Sequence, residues 1–275
     1  MPIRRGPIGV FDSGVGGLTV AAEIRRAMPA EDILYFGDTA RLPYGNKSPE
    51  TVIRYSREIA RFLEAQGIRF LVVACNTSSA LALDALCAEV SVPVLGMIGP
   101  GARAAAETTG TGRVGLIGTR ATVQSGAYEK AVLALDPSIQ VFSQACPLFV
   151  PLVEEGWAED PVAEEVARRY LEPLLERGVD TLILGCTHYP VLISVLRRVA
   201  GPSVTLLSSS QCAARALQDA LAGEKFHEGA GPAGRGGLRC YVTDAGTHFR
   251  EVGERILGEP LTELIPVEEE RLVLA

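Results

Sequence analysis

The chain has 275 residues, of which 47% are hydrophobic and 21% are charged, and its formal net charge is −7. This length predicts about two domains of an ordinary globular protein. The acidic balance favours neither nucleic-acid binding nor attraction to an anionic membrane, so we expect neither partner. Because the sequence contains no apolar run that could form a signal-peptide core or span a bilayer, we expect a cytoplasmic protein.

Strands and helices alternate from the start of the chain. Ser48 is a good N-cap, Pro49 suits the first helical position, and Gly67 can end the helix that begins there. Short apolar runs between turn residues predict the strands. We predict strands over residues 8–11, 33–36, 70–74 and 92–95, helices over 18–28, 49–66 and 76–89, and a loop over 37–48.

The later part of the chain continues this alternation, which predicts parallel or mostly parallel sheets flanked by helices. A segment rich in glycine and charge, residues 223–237, predicts a surface loop. We predict strands over 113–117, 140–145, 181–185, 204–207 and 238–242, and helices over 125–135, 147–155, 161–177, 211–222 and 246–257, with a further helix after Pro190.

Two stretches of the sequence are versions of one another. Residues 67–75 and 178–186 each begin with glycine, continue as an apolar run and end in cysteine. Residues 9–13 resemble residues 115–119 at nearly the same spacing. A nearly constant shift predicts two similar α/β domains, the later one starting near residue 98.

Each repeated stretch places a thiol, Cys75 or Cys186, at the end of a buried strand and before a predicted helix, where parallel α/β sheets put their chemistry. One such cysteine is more often a small buried hydrophobe, but two in matching contexts favour function. A helix N-terminus lowers the pKa of a thiol. Asn76, Thr77, Thr187 and nearby backbone amides would form an anion site there. Two thiols around a carboxylate site suggest proton transfer on two faces of one carbon.

Other candidate residues follow strands at the same edge. Asp12 and Ser13 enter a glycine-rich turn, in which a dinucleotide-binding pattern would need glycine at Thr19 and is therefore disfavoured. The commoner role for Asp12 is a helix cap, which is compatible with a place in the site. Residues 43–46 form a turn signal after the second strand, and most such signals are only surface turns.

Metal and redox functions are disfavoured. His188 could act on Cys186 or on a substrate, whereas a metal site made from His188, Cys186 and Cys75 would lack the usual close ligand pair. We therefore expect no metal. Glu154 ends an apolar segment, a position that is usually solvated. None of the six cysteines forms a C-x-x-C pair, so we expect free thiols and no thiol redox protein.

With these motifs in fixed order, nearly the whole chain resembles the glutamate racemases of the aspartate/glutamate racemase superfamily. These cofactor-independent isomerases supply D-glutamate for peptidoglycan, and thus for cell-wall biogenesis and cell shape. The wider superfamily shares the two cysteines, so the segments 43–45 and 186–190 favour glutamate over other amino acids. The resemblance is carried by residues 12–19, 37–38, 43–45, 74–77, 118–119 with Thr122, 151–154 and 185–190.

The resemblance implies a first domain of residues 1–97 plus 210–275, a second of residues 98–209, an active site in the cleft between them, and a homodimer. It also implies that Cys75 removes the α-proton of D-glutamate with help from Asp12. Cys186 would remove that of L-glutamate with help from His188 and Glu154. The substrate would be held by Asp12, Ser13, Pro43, Tyr44, Gly45, Asn76, Thr77, Thr119, Thr122, Thr187 and His188.

A pyridoxal cofactor would need a Schiff-base lysine, but Lys47, Lys130 and Lys225 are the only lysines and none lies at a predicted strand end. We therefore expect no cofactor. Two departures stand out: Ser78 lies where the family more often has alanine, and residues 207–210 replace a common Asp-Ser pair. The alternatives are a racemase for aspartate or another acid, and a carboxylate-binding protein without chemistry, which would need neither thiol.

Overall fold

The computed structural model describes residues 6–222 and 236–273, and the strands within them form two separate sheets. All neighbouring strands in both sheets are parallel. In chain order the strands are β1 (Ile8–Asp12), β2 (Ile33–Gly37), β3 (Phe70–Val73), β4 (Val94–Gly96), β5 (Arg113–Gly118), β6 (Gln140–Ala145), β7 (Thr181–Gly185), β8 (Thr205–Ser208), β9 (Leu238–Val242) and β10 (Glu263–Pro266).

The smaller sheet repeats the centre of the larger one. The larger sheet has the strand order β10-β9-β2-β1-β3-β4, and the smaller has the order β6-β5-β7-β8. The block β2-β1-β3-β4 therefore recurs in the second sheet with the same neighbours. This confirms the predicted α/β fold with two similar parts, each a parallel sheet flanked by helices.

Helices cover both faces of the larger sheet, which explains why its central strands are apolar throughout. Val10 and Phe11 point to opposite faces of β1, yet both side chains are fully buried. Val10 packs in one hydrophobic cluster with Leu18, whereas Phe11 packs in another with Ile59. The helices are α1 (Leu18–Ala27), α2 (Pro49–Ala65), α3 (Asn76–Leu81), α4 (Leu83–Glu89), α5 (Ile98–Thr108), α6 (Arg120–Ser125), α7 (Ala127–Leu135), α8 (Phe149–Glu154), α9 (Pro161–Leu175), α10 (Ile193–Ala200), α11 (Ser209–Ala222), α12 (Thr247–Leu257) and α13 (Glu269–Val273).

Most predicted elements agree with the structure to within a few residues. The Ser48 hydroxyl caps α2 by accepting from the Thr51 N–H, as predicted. The single helix predicted over 76–89 is interrupted at Ala82 and forms α3 and α4. Strand β10 and helix α13 were not predicted, and the loop predicted over 223–237 lies, except for its last two residues, outside the described residues.

Helix α5 was also not predicted, and its first turn contains the turn-forming residue types Gly99, Pro100 and Gly101. Proline is tolerated in the first turn of a helix, where the N–H has no partner in the helix anyway. Gly101 allows close packing, since a Cβ there would lie 2.9 Å from Tyr128 Cε1. Tertiary packing therefore overrides the local turn signal.

Helix α11 returns to the larger sheet. Ala213, Ala214 and Leu217 are buried in the same cluster as Ile8 and Leu18. The domain boundaries at residues 97/98 and 209/210 stay a prediction. No helix within residues 6–222 and 236–273 is long and apolar enough to cross a membrane.

Candidate active site

A cavity of about 380 Å³ lies between the carboxyl ends of the two sheets, a size suited to a small-molecule ligand. Cys75 lies two residues beyond the end of β3, and Cys186 directly follows β7, so each sheet contributes one thiol. The cavity therefore lies where the active site was expected, in the cleft between the two sheets. Of the predicted site residues, those that line it are Asp12, Ser13, Pro43, Tyr44, Gly45, Cys75, Asn76, Thr77, Thr119, Glu154, Cys186, Thr187 and His188.

Asp12 ends β1 with a carboxylate that is only half bonded. The N–H groups of Gly14 and Gly17 donate to Oδ2, at 3.2 and 3.0 Å. Oδ1 is buried and has no hydrogen-bond partner among the described residues. Burial raises the pKa of Asp12 above its ordinary value, although His188 and the backbone donors oppose this. Asp12 thus offers one buried carboxylate oxygen that has no partner among the described residues.

Cys75 is the N-cap of α3. Its Sγ accepts from the Ser78 N–H at 3.5 Å and lies 3.8 Å from the Ser13 hydroxyl oxygen. Burial and the neighbouring Asp12 raise the pKa of Cys75 to about 12, against the lowering effect of the Ser78 and Ser13 donors. In the free protein this group is therefore a thiol at neutral pH.

Cys186 has a different environment. No α-helix begins directly after it, contrary to the prediction, because residues 189–192 form a 3₁₀ turn and α10 starts only at Ile193. Instead, Cys186 Sγ lies 4.0 Å from His188 Nδ1. The imidazole is thus the nearest acid–base group to this thiol, and the two halves of the site are not equivalent.

His188 connects Cys186 to Glu154. Its Nε2 lies 3.0 Å from Glu154 Oε1, and His248 Nε2 lies 3.9 Å from Glu154 Oε2. Burial alone would lower the pKa of His188, but Cys186 and Glu154 raise it to about 10. Burial raises the pKa of Glu154, but His188 and His248 outweigh this and hold it below its ordinary value. An imidazolium–carboxylate pair at neutral pH follows.

The turn after β1 and the first residues of α1 hold the His188 segment in place. Thr19 donates from its hydroxyl to the Thr187 carbonyl at 2.9 Å and shares a second hydrogen bond with Ser210 at 2.8 Å. Gly16 lies against the imidazole, because a Cβ there would be only 2.4 Å from His188 Cε1 and Nδ1. The glycine-rich turn therefore serves close packing between the two sheets' ends.

Three threonine hydroxyls form a cluster across the cleft. Thr77 and Thr119 are 2.9 Å apart, Thr119 and Thr122 3.0 Å, and Thr77 and Thr122 3.3 Å. Thr122 is fully buried and does not line the cavity itself. The substrate contact predicted for Thr122 stays a prediction. In the structure Thr122 forms hydrogen bonds with the two hydroxyls that line the cavity, those of Thr77 and Thr119.

Tyr44 lines the cavity with its hydroxyl already engaged. That hydroxyl donates to Asp38 Oδ2, and Arg41 Nε donates to both Asp38 oxygens at 2.9 and 2.8 Å. Arg41 also pairs with Glu58. A buried ionic network thus fixes the loop that carries Pro43, Tyr44 and Gly45.

The side chain of Asn76 likewise already has two hydrogen-bond partners. Tyr128 donates to its Oδ1 at 2.7 Å, and its Nδ2 donates to Ser209 at 3.3 Å. One amide hydrogen is left for a ligand.

Some residues that line the cavity were not predicted as site residues. Arg120 directly follows Thr119, so its position beside a predicted site residue was a signal that could have identified it. The lining residues that sequence reasoning did not assign are Leu42, Asn46, Arg120, Pro147, Val150, Pro151 and Tyr189.

Within the described residues there is no cluster of three or more His, Cys, Asp or Glu side chains that could hold a metal ion. All six cysteines are free thiols. The cavity therefore presents thiols, hydroxyls, amides, carboxylates and an imidazole. These groups can bind carboxylate and ammonium groups and transfer protons.

Replacing Glu154 with glutamine should make the free energy of unfolding depend less on whether His188 is protonated. A His whose folded pKa is raised stabilises the fold fully below its ordinary pKa, and this stabilisation is lost as pH rises through about 10. We expect Glu154→Gln to lower the free energy of unfolding by about 1.5 kcal/mol at pH 7. The difference from wild type should shrink as the pH rises from about 7 to about 10 and be small above that.

Urea unfolding of both proteins at several pH values between 7 and 10.5 measures this difference. Because other groups titrate equally in both proteins, only the difference between them is informative. A difference that stayed constant over this range would contradict the ion pair. Arg168→Gln, which removes an exposed partner of Glu164, is a control that should cost little at either pH.

This fold and this site define an isomerase of the racemase class. Two parallel-sheet lobes each present one thiol to a shared cavity, and each thiol has its own ionisable neighbour. The chain belongs to the Asp/Glu/Hydantoin racemase family, whose model matches residues 8–217.

Relatives of known name agree with this membership. A glutamate racemase of Geobacter metallireducens is 52% identical over 260 residues, which cover 94% of this chain and 96% of that protein. The crystal structure of a Bacillus anthracis glutamate racemase isoform matches with a TM-score of 0.90 at 41% identity, covering 96% of this chain and 98% of that one. The Francisella tularensis glutamate racemase, solved in complex with D-glutamate, gives 0.87 at 37% identity, covering 95% and 97%.

Proposed function

We propose that this racemase interconverts L- and D-glutamate without a cofactor, using Cys75 and Cys186 as the two acid–base groups. The observation that carries the proposal is that both thiols line one cavity from corresponding strand ends of the two sheets. The names of the relatives support glutamate as substrate, and one of them was solved with D-glutamate bound.

In the proposed reaction each thiol serves one face of the α-carbon. Cys75, as a thiolate, takes the α-proton of D-glutamate, and Cys186, as a thiol, gives a proton to the opposite face. The product is L-glutamate, and the protonation states of the two sulfurs are exchanged. The reverse reaction starts from the Cys186 thiolate. Asp12 assists Cys75, while His188 and Glu154 assist Cys186.

The difficult step is removal of a weakly acidic α-proton. Negative charge then moves into the α-carboxylate, where hydrogen-bond donors stabilise it. The threonine cluster, Asn76 and nearby backbone amides supply such donors, and the free Asp12 Oδ1 suits the substrate ammonium. Exclusion of water from the cavity would strengthen each of these interactions.

The proposal extends to the location, the oligomeric state and the biological role of the enzyme. We propose that the enzyme works in the cytoplasm as a homodimer and supplies D-glutamate for peptidoglycan. The division into residues 1–97 with 210–275 and residues 98–209 is part of it. Likeness to the glutamate racemases supports these points.

The test is to incubate purified protein with L-glutamate in D2O and no added cofactor. We expect D-glutamate that carries deuterium at the α-carbon, because the proton on the second thiol comes from solvent. L-Aspartate in a parallel reaction should turn over far more slowly. Absence of deuterium uptake, or a requirement for pyridoxal phosphate, would refute the two-thiol proposal, and faster turnover of aspartate would refute the substrate.

A further inference from the structure

Ser78 carries a buried hydroxyl that forms no hydrogen bond of ordinary geometry with the described residues of the free protein. Its side chain is fully buried, and Oγ has no hydrogen-bond partner among the described residues. Leaving a buried hydroxyl unpaired destabilises a fold, so each such group calls for an explanation. Alanine would fit the same space without this cost.

The neighbouring Ser79 shows what a structural serine does in this helix. Its hydroxyl donates to the Val73 carbonyl at 2.8 Å and accepts from the Met97 N–H at 3.0 Å. Ser79 therefore ties α3 to the end of β3 and to the residue that follows β4. Ser78 has no comparable bonds, although it lies in the same turn and is equally buried.

Ser78 lies instead beside the Cys75 sulfur. It is three residues beyond this N-cap, and its own N–H donates to Cys75 Sγ at 3.5 Å. The Ser78 hydroxyl is itself among the groups that lower the pKa of Cys75, which places it near the sulfur. The hydroxyl is thus within rotation of an atom that changes charge in the proposed reaction.

Cys75 needs donors more than an ordinary thiol does. The titratable groups that act on it are Asp12, Tyr35 and Tyr44, and the Asp12 carboxylate opposes a negative charge on the sulfur. Burial and Asp12 raise the pKa of Cys75, and the opposing groups are the Ser78 N–H, the Ser78 hydroxyl and the Ser13 hydroxyl. The Ser78 hydroxyl is the one of these that has no other role.

We propose that the Ser78 hydroxyl turns to donate a hydrogen bond to Cys75 Sγ when this sulfur becomes a thiolate. The role in racemisation rests on the proposed function, in which Cys75 must carry this charge once per turnover. Ser78 thereby supplies to Cys75 what the His188 imidazolium supplies to Cys186. Because this hydroxyl forms no hydrogen bond of ordinary geometry with the described residues of the free protein, it is available to donate one to the thiolate.

The test compares Ser78→Ala with Ser79→Ala, both in a Cys87→Ala background so that the tryptic peptide 70–103 carries Cys75 alone. Free protein is alkylated with iodoacetamide at a fixed pH, and mass spectrometry follows the peptide. Loss of a hydrogen bond to the thiolate should lower the thiolate fraction about tenfold. A more basic thiolate is more nucleophilic, so alkylation should slow by about threefold.

Stability provides the second measurement. Ser78→Ala should keep or raise the melting temperature, because it removes an unpaired hydroxyl, whereas Ser79→Ala should lower it and leave the alkylation of Cys75 unchanged. Ser78→Thr keeps a hydroxyl at this position, so its Cys75 should be alkylated at the rate seen with Ser78 rather than at the slower rate of Ser78→Ala. Unchanged alkylation in Ser78→Ala, or a loss of stability as large as that of Ser79→Ala, would overturn the proposal.

These measurements need no substrate, so the Ser78 proposal and the proposed function can fail separately. If glutamate were not racemised, the alkylation difference would still report the hydrogen bond. If the alkylation difference were absent while deuterium entered D-glutamate, the two-thiol reaction would stand without this donor.

Discussion

Cys75→Ala and Cys186→Ala should each lower the racemisation of glutamate by about 10⁴-fold or more, the upper range for loss of a positioned acid–base group. Each sheet contributes one cysteine to the lining of the cavity, and these two cysteines are Cys75 and Cys186. Without one of them, a proton can be taken from one face but not returned on the other. Circular dichroism of the product mixture, started from either enantiomer, measures the loss.

Half-reactions distinguish the two roles. Cys186→Ala retains Cys75 and should still exchange the α-proton of D-glutamate with D2O, whereas Cys75→Ala should exchange only that of L-glutamate. Cys87→Ala is the matched control, because Cys87 is exposed and does not line the cavity. Near-wild-type racemisation by either active-site variant would contradict the pairing, and exchange of the wrong enantiomer would reverse the assignment.

The sequence was sufficient to find the two thiols because their signal is local. A glycine, an apolar run and a cysteine make a buried strand with a side chain at its end, and parallel sheets align such ends. Asp12 and Thr119 follow from the same repeat, since they end or follow β1 and β5. The repeat of strand order in the two sheets then brings these residues to one cavity.

Long-range packing could not be predicted in the same way. The hydrogen bond from Tyr44 to Asp38, and the pairing of Arg41 with Glu58, join residues that no periodic pattern links. Helix α5 was hidden by its own glycines and proline, whose turn signals yield to packing against Tyr128. Local chemistry therefore predicts which groups face the site, whereas tertiary contacts decide what holds them there.

The two halves of the site also differ in charge, which the shared cysteine pattern does not show. Cys75 faces a carboxyl and neutral donors, whereas Cys186 faces a histidine whose pKa is raised to about 10. The repeated cysteine pattern therefore places its two thiols in electrostatically different surroundings.

Gly16→Ala should lower kcat/KM for both enantiomers by about 10²-fold, the loss that a misplacement of about 1 Å can cause. A Cβ at this position would lie 2.4 Å from two atoms of the His188 ring and 2.5 Å from Thr187 Oγ1. The ring cannot retreat freely, because Glu154 holds its Nε2 at 3.0 Å. The imidazole must therefore leave Cys186, or the two sheets must move apart.

The backbone at Gly16 does not have a positive φ, so alanine there introduces a side chain without backbone strain. Gly99→Ala is the matched control, because a Cβ at Gly99 meets no atom within 4 Å and its φ is not positive either. That control should keep full activity and gain slight stability. Steady-state kinetics in both directions, with thermal unfolding, compare the variants. Equal activity of Gly16→Ala and Gly99→Ala would show that the contact between Gly16 and His188 does not position the imidazole.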